Sequence, residues 1–364
     1  MHLKSSAFSR FFRHATTAFL GLAFALSPAH AGDTYKWTVQ YLIDNSQTVY
    51  GQAQKVWPRQ NRGLAISPDG KFLYTGYNHA SNGQGEVRKI AIGITDDFAR
   101  ATTRVLPGPQ GKAITTDDKG RVFIASGGEI FIYDANLSQV QLSVQTALCE
   151  GVATVRDGKE LFLYGVERQI GRVRRWVLEE KDGTIVDATP SASFGDAGEI
   201  FIKSAQGLRG AEVDPKGRLW VADFEGARVY RVSKDGKNVE QMDLDHPMDI
   251  GFDGDRAFIT RGADRVISVF EAESMKLLGN LAVPWDELEL NPSGNNRTGS
   301  LSCIVTVPGK GFFVTNEAGQ TLNQKSTYGR ADTHADVIDG KLYRDAFMDD
   351  NEPILQALVV PDGK

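Results

Sequence analysis

Apolar and polar residues alternate along most of this chain in short runs, and each run stops at a cluster of Asp, Gly, Pro or Lys. In "GLAISPDGKFLYTGYN", Gly63 to Asn78, Leu64 and Ile66 precede a turn of Pro68, Asp69 and Gly70, and Phe72 and Tyr74 follow it. A period of two on both sides of a turn predicts antiparallel strands. The same grammar returns in "GKAITTDDKGRVFIASG" from Gly111 and "GAEVDPKGRLWVADFEG" from Gly210. Six copies can be placed, with first strands starting at Gly63, Gly111, Gly151, Gly210, Asp249 and Cys303, 39 to 59 residues apart. Repeats of roughly 40 to 50 residues suit propeller blades of four strands. The two long steps leave room for insertions, Asp182 to Phe201 and Pro284 to Gly299. No strong helical stripe interrupts the pattern. The predicted fold is all-β, a six-bladed β-propeller of four-stranded antiparallel blades. Closing the ring needs one more strand in the last blade. Tyr35 to Ile43 and Ile354 to Val360 both qualify, and the pattern does not choose between them.

The N-terminus changes the picture of where the protein works. Lys4, Arg10, Arg13 and His14 are followed by an apolar run, Ala15 to Leu26, and by Ala29-His30-Ala31. That order predicts a signal peptide over residues 1–31, a propeller domain over 32–364, and a soluble periplasmic or secreted product. No later segment predicts a membrane span. The formal net charge is −5 with both signs interspersed, which excludes the basic face of a nucleic-acid binder. There is no GxSxG elbow, phosphate loop, dinucleotide fingerprint or CxxC motif. His79, His246 and His334 follow the expected signal, none in a zinc-type motif. His246, in "DHPMD", is read as a surface turn, with a catalytic base as the alternative. Cys149 and Cys303 fall at the inner strands of opposing blades, too far apart for a disulfide, and both are expected as thiols.

The phrases "SPDGKFLYTG" and "DPKGRLWVADFEG" resemble the propeller superfamily of NHL-repeat proteins and SMP-30/gluconolactonase-like enzymes. The resemblance covers nearly the whole chain after residue 31 as repeat grammar, which specifies blades better than a reaction. For the enzymes of this group it implies a divalent metal, Ca or Zn, in the channel mouth. Its Glu, Asn and Asp ligands would polarise a lactone carbonyl. "CEGVA" resembles the family's Glu-Gly entrance, which makes Glu150 the candidate metal ligand and catalytic group.

The position before each first strand holds Arg62, Gln110, Glu150, Arg209, Met248 and Ser302. Two arginines there depart from a metal-ligand set, although Asn61 and Asp249 lie one step away. Arg62 and Arg209, from opposing blades, instead suit an anion, since each offers a fork of donors. A structural ion-pair plug is the bland alternative. The loops after the second strands add Tyr77, Asn78, His79, Glu167, Arg168, Asp223, Phe224, Arg261, Asn316 and Glu317. The expected ligand-binding set is therefore Arg62, Gln110, Arg209, Asn78 and Asp223. The expected function is binding of a small acidic or sugar-like ligand at the channel mouth. A metal-dependent lactonase-like hydrolase and a protein-binding scaffold are the alternatives.

Overall fold

The computed structural model describes residues 35–43, 59–79, 85–93, 98–262, 266–282, 301–307, 310–316, 337–338, 341–342 and 354–361. Apart from a small two-stranded pair, these residues form five four-stranded sheets and one five-stranded sheet, which makes six blades. The innermost strands are Arg59–Ile66, Ala113–Thr116, Cys149–Asp157, Leu208–Val213, Pro247–Asp253 and Leu301–Val307, in blades one to six. Each packs beside the next and the sixth returns to the first, which closes the ring. All strand pairs are antiparallel, and the one described helix is the short Phe98–Ala101.

The recurring turn phrase has a local cause. In "DPKGR" the Asp214 carboxylate accepts the N–H groups of Lys216 and Arg218, the Arg218 guanidinium and the Trp220 indole N–H. Asp117 holds Lys119 and Arg121 in the same way in "DDKGR". The glycines of the two turns, Gly120 and Gly217, take φ of 81° and 80°, where a side chain would be strained. In these two copies the hairpin turn is thus tied by its own leading carboxylate, and in the first copy Ser67 Oγ takes that place by accepting the N–H groups of Lys71 and Phe72.

The apolar faces of these hairpins bury against neighbouring blades. Tyr164 and Phe194 of blade three meet Tyr230 and Leu208 of blade four, and Trp220 of blade four meets Phe252 of blade five. Between blades two and three, Phe123 and Ile132 pack on Trp176. A fully buried aromatic of this kind contributes roughly 1.5–3 kcal/mol of transfer energy, so each seam is a core in its own right.

The first insertion becomes the fourth strand of blade three, Thr184–Pro190, and an extra short strand, Glu199–Phe201, on the third strand. The second insertion lies outside the described residues. Ring closure uses both candidate strands. Blade six reads, from the outside in, Tyr35–Ile43, Ile354–Pro361, Gly311–Asn316 and Leu301–Val307. Cys149 and Cys303 are buried and not joined in a disulfide, as expected from their opposing blades. No helix among the described residues is long and apolar enough to cross a membrane.

Candidate functional site

Five of the six inner strands share an irregularity at their entrance. Pairing with the second strand shifts register between Asn61 and Gly63, Cys149 and Gly151, Leu208 and Ala211, Pro247 and Ile250, and Leu301 and Ile304. Arg62, Glu150, Arg209, Met248 and Ser302 sit in these shifts. A bulge releases one residue from the ladder and re-aims its side chain. The repeat therefore presents a set of re-aimed positions at one end of the channel, and their chemistry differs from blade to blade.

Glu150 lies at the centre of the charged group. Arg168 Nη1 is 3.2 Å from its Oε1, Lys112 Nζ 3.6 Å from the same oxygen, and Arg209 Nη1 3.9 Å from Oε2. Burial pushes the Glu150 carboxyl upward. The positive charges of Arg209, Arg168, Arg62 and Lys112 outweigh it and hold the group below its ordinary value. A second carboxylate, Glu225, takes a short contact from Arg168 and one of 3.3 Å from Arg209 Nη2. The Arg209 guanidinium lies over the Phe224 ring, 4.5 Å from its centroid. Its buried Nε–H has no acceptor among the described residues. Arg62 from blade one and Arg209 from blade four thus act on one carboxylate.

The remaining expected residues have other roles. Gln110 precedes the strand of blade two, where its backbone N–H donates to Ser126 Oγ at 2.9 Å. Lys112, two residues on, supplies that blade's charge. Asp223 is a correction: its carboxylate is fully buried and accepts the backbone N–H groups of Gln206, Gly207 and Gly226, with Tyr230 Oη at 3.4 Å. It holds a loop and offers nothing to a ligand. Asn78 lies in the strand Phe72–His79, and its side chain is outside the described part, as are those of His79 and Asn316; Glu317 and His334 are outside altogether. Met248 is buried, and Ser302 Oγ donates to the Asn61 carbonyl at 2.6 Å, clipping blade six to blade one.

Glu167 is also structural. It accepts the Ala147 N–H at 2.9 Å and pairs with Arg172 at 2.5 Å. His246 stands at φ 44°, with its ring against Phe224 at 4.9 Å between centroids. Its Nδ1 is 2.5 Å from Asp245 Oδ1. The structure places the residue beside Phe224, the ring over which the Arg209 guanidinium lies.

Lys112 and Glu225 are the members that pattern reading missed. Lys112 is displaced from the entrance position because the inner strand of blade two pairs without a bulge. Glu225 sits in a turn, where period-two reasoning has no purchase.

A divalent cation does not fit this donor set. The first groups around Glu150 are four cations, which would repel it. Asn61 Oδ1 accepts from Thr315 Oγ1 at 2.9 Å, and Asp249 Oδ2 accepts the Ile304 N–H at 3.0 Å. Both nearby alternatives already have partners. Among the described residues no group of three or more His, Cys, Asp or Glu gathers as a metal site would require.

Comparison with known proteins adds the class. Residues 108–262 match the family model described as the SMP-30/Gluconolactonase/LRE-like region, a stretch that contains Glu150, Arg168, Arg209 and Glu225. The chain is a β-propeller in which residues 108–262 are similar to the SMP-30/gluconolactonase-like region. The pentonolactonase XacC of Haloferax volcanii is 26% identical over 192 residues, 50% of this chain and 58% of that protein. The chain therefore spans little more than half the length of this relative. Among solved structures, a chain of a nidogen/laminin complex superimposes with a TM-score of 0.47 at 13% identity, over 69% of this chain and 85% of its own. The structure of U3-55K gives 0.49 at 10% identity, over 73% and 77%.

Proposed function

We propose that the channel mouth binds a small hydroxylated organic anion, a sugar acid in chemical class, in the exported form that residues 1–31 suggest. The observation that carries this is the convergence of Arg62, Lys112, Arg168 and Arg209 on Glu150. Among these groups and Glu225, cations outnumber carboxylates four to two. Guanidinium forks match a carboxylate in shape as well as charge. Glu150, ionised and partly accessible, serves as an acceptor for the ligand's hydroxyl groups, while the Arg209 Nε–H is a donor still to be met.

A second reading is favoured by the family match and by the pentonolactonase relative: hydrolysis of a sugar lactone. The two readings meet in one ligand class, since opening a sugar lactone yields a hydroxylated monocarboxylate. No metal-assisted step is derived for it, because the donor set opposes a dication.

Calorimetric titration with gluconate, and with glucose as the neutral control, tests the first reading. Gluconate is expected to bind and glucose not. Arg168→Ala should weaken gluconate by roughly tenfold or more, the scale of a lost charge-assisted contact. Arg209→Lys, which keeps the charge but loses the fork, should weaken it too. Equal binding of the two sugars, or full affinity in both variants, overturns the reading. Release of acid from a pentonolactone, followed with and without a chelator, tests the second.

A further inference from the structure

Glu225 is the carboxylate of the cluster that stands outside the inner strands. It belongs to the turn between Leu219–Asp223 and Arg228–Val232 of blade four, while Glu150 and Arg209 belong to inner strands. Its side chain is 33% accessible, against 11% for Glu150 and 6% for Arg209. Yet its Oε1 alone receives both guanidiniums, Arg168 Nη2 in a short contact and Arg209 Nη2 at 3.3 Å. The same two arginines reach the other way to Glu150, at 3.2 and 3.9 Å. The four side chains form a closed square of alternating charge, with Glu150 and Arg209 on inner strands and Arg168 and Glu225 in turns after second strands.

The loop is built to deliver that carboxylate. Asp223 fixes both sides of it by accepting the N–H groups of Gln206, Gly207 and Gly226. The Glu225 side chain then runs across Gly207, where any Cβ would overlap its carboxylate. Two forks meeting at one oxygen is the geometry they would present to a bound organic acid.

We propose that Glu225 is a built-in stand-in for the ligand. Its carboxylate occupies the seat on Arg168 and Arg209 that the ligand's carboxylate takes, and a ligand must displace it. This rests on the anion-binding reading of the mouth. A seat filled by Glu225 for most of the time lowers apparent affinity by the fraction left open. It also selects against simple acids. A bare carboxylate only replaces one already present, whereas a hydroxylated acid gains further bonds to Glu150 and Arg209 as Glu225 leaves.

Two variants vacate the seat by different routes. Glu225→Gln removes the charge and keeps the shape. Gly207→Ala keeps the charge and evicts the side chain; Gly207 does not occupy the left-handed region, so alanine is compatible with its backbone. With gluconate as titrant at low ionic strength, both are expected to bind about tenfold more tightly than the parent, and acetate should gain at least as much. That result, including binding that appears only in the variants, supports the proposal. A Glu225 that merely buttressed the arginines would make both variants weaker. Unchanged or weaker binding in the variants, with the parent still binding gluconate, overturns the stand-in and leaves the anion site in place. No gluconate binding by any of the three proteins overturns both. Should Gly207→Ala fail to fold, as judged by its melting transition, Glu225→Gln alone decides.

Discussion

Glu212 and Asp249 face each other across the seam between blades four and five, and they titrate against the usual expectation for carboxylates. Burial pushes Glu212 up to about 8, against the pull of the Val213 N–H and with the Asp249 charge adding to the rise. Burial likewise pushes Asp249 up to about 7, opposed by the N–H groups of Ile304 and Ile250. A folded-state value above the unfolded one means the native protein holds a proton that the unfolded chain gives up. For Glu212 stability is therefore intact below its ordinary value of 4.5 and is lost as pH rises from there towards about 8. One such proton gives a slope of at most ~1.4 kcal/mol per pH unit. Glu212→Gln imitates the protonated form, so its urea midpoint should fall less between pH 5 and pH 8 than that of the parent, with Asp249 leaving a residual slope. Parallel curves for the two proteins would remove Glu212 from the account. Glu150 behaves in the opposite sense. Its value is lowered, so its contribution is present above 4.5 and fades as pH falls through the depressed value. The mouth and the seam thus respond to opposite ends of the pH scale.

At the scale of the strand, the entrance bulge is the device that turns a repeat into a site. The residue after the re-aimed position is glycine in blades one, three and four: Gly63, Gly151 and Gly210. At Gly151 the reason is contact, since a Cβ there would run into the Arg209 carbonyl of the next blade. Gly151→Ala is expected to destabilise by ~3 kcal/mol, the upper range for overpacking against backbone. The same push would part Glu150 from Arg209. Differential unfolding in urea measures the first effect and gluconate affinity the second. A variant with parental stability would mean that the strands are not in this close register.

This device also explains what could be read in advance. Arg62, Glu150 and Arg209 are legible because each precedes a small residue that opens an alternating run, so alignment of the copies brings them to one level. Gln110 holds the same place in sequence, but the pairing of its inner strand has no register shift, and Lys112 serves the mouth. Asp223 looks like a ligand group by type and loop position. Its use for three backbone N–H groups depends on how Gln206 and Gly207 return beneath it, and no local pattern encodes that return. Glu225 is hidden for a related reason. A lone acidic residue in a turn is ordinarily solvated, and its capture by two arginines follows from contacts 57 and 16 residues away in the chain.

The whole molecule depends on how blade six is completed. The alternation in Tyr35–Ile43 and Ile354–Pro361 marks both as strands, and nothing local ranks them. Counting strands does rank the outcome, because Leu301–Val307 and Gly311–Asn316 supply only two strands of that blade and four are needed. The C-terminal strand is third, paired on one side with Gly311–Asn316 and on the other with Tyr35–Ile43. The N-terminal strand is fourth and touches only that neighbour within the sheet. The two ends are therefore unequal. Removing residues 1–44 takes an edge strand and exposes the next one, a loss that a closed ring tolerates at reduced stability. Removing residues 353–364 takes the third strand, leaves Tyr35–Ile43 with nothing to pair with, and strips blade six to two strands, which are marginal alone. The second truncation should lose its cooperative melting transition, while the first keeps one at lower temperature. Calorimetric scans of the two proteins decide the matter. Equal loss in both would mean that the outer strand, too, is needed to hold the ring shut.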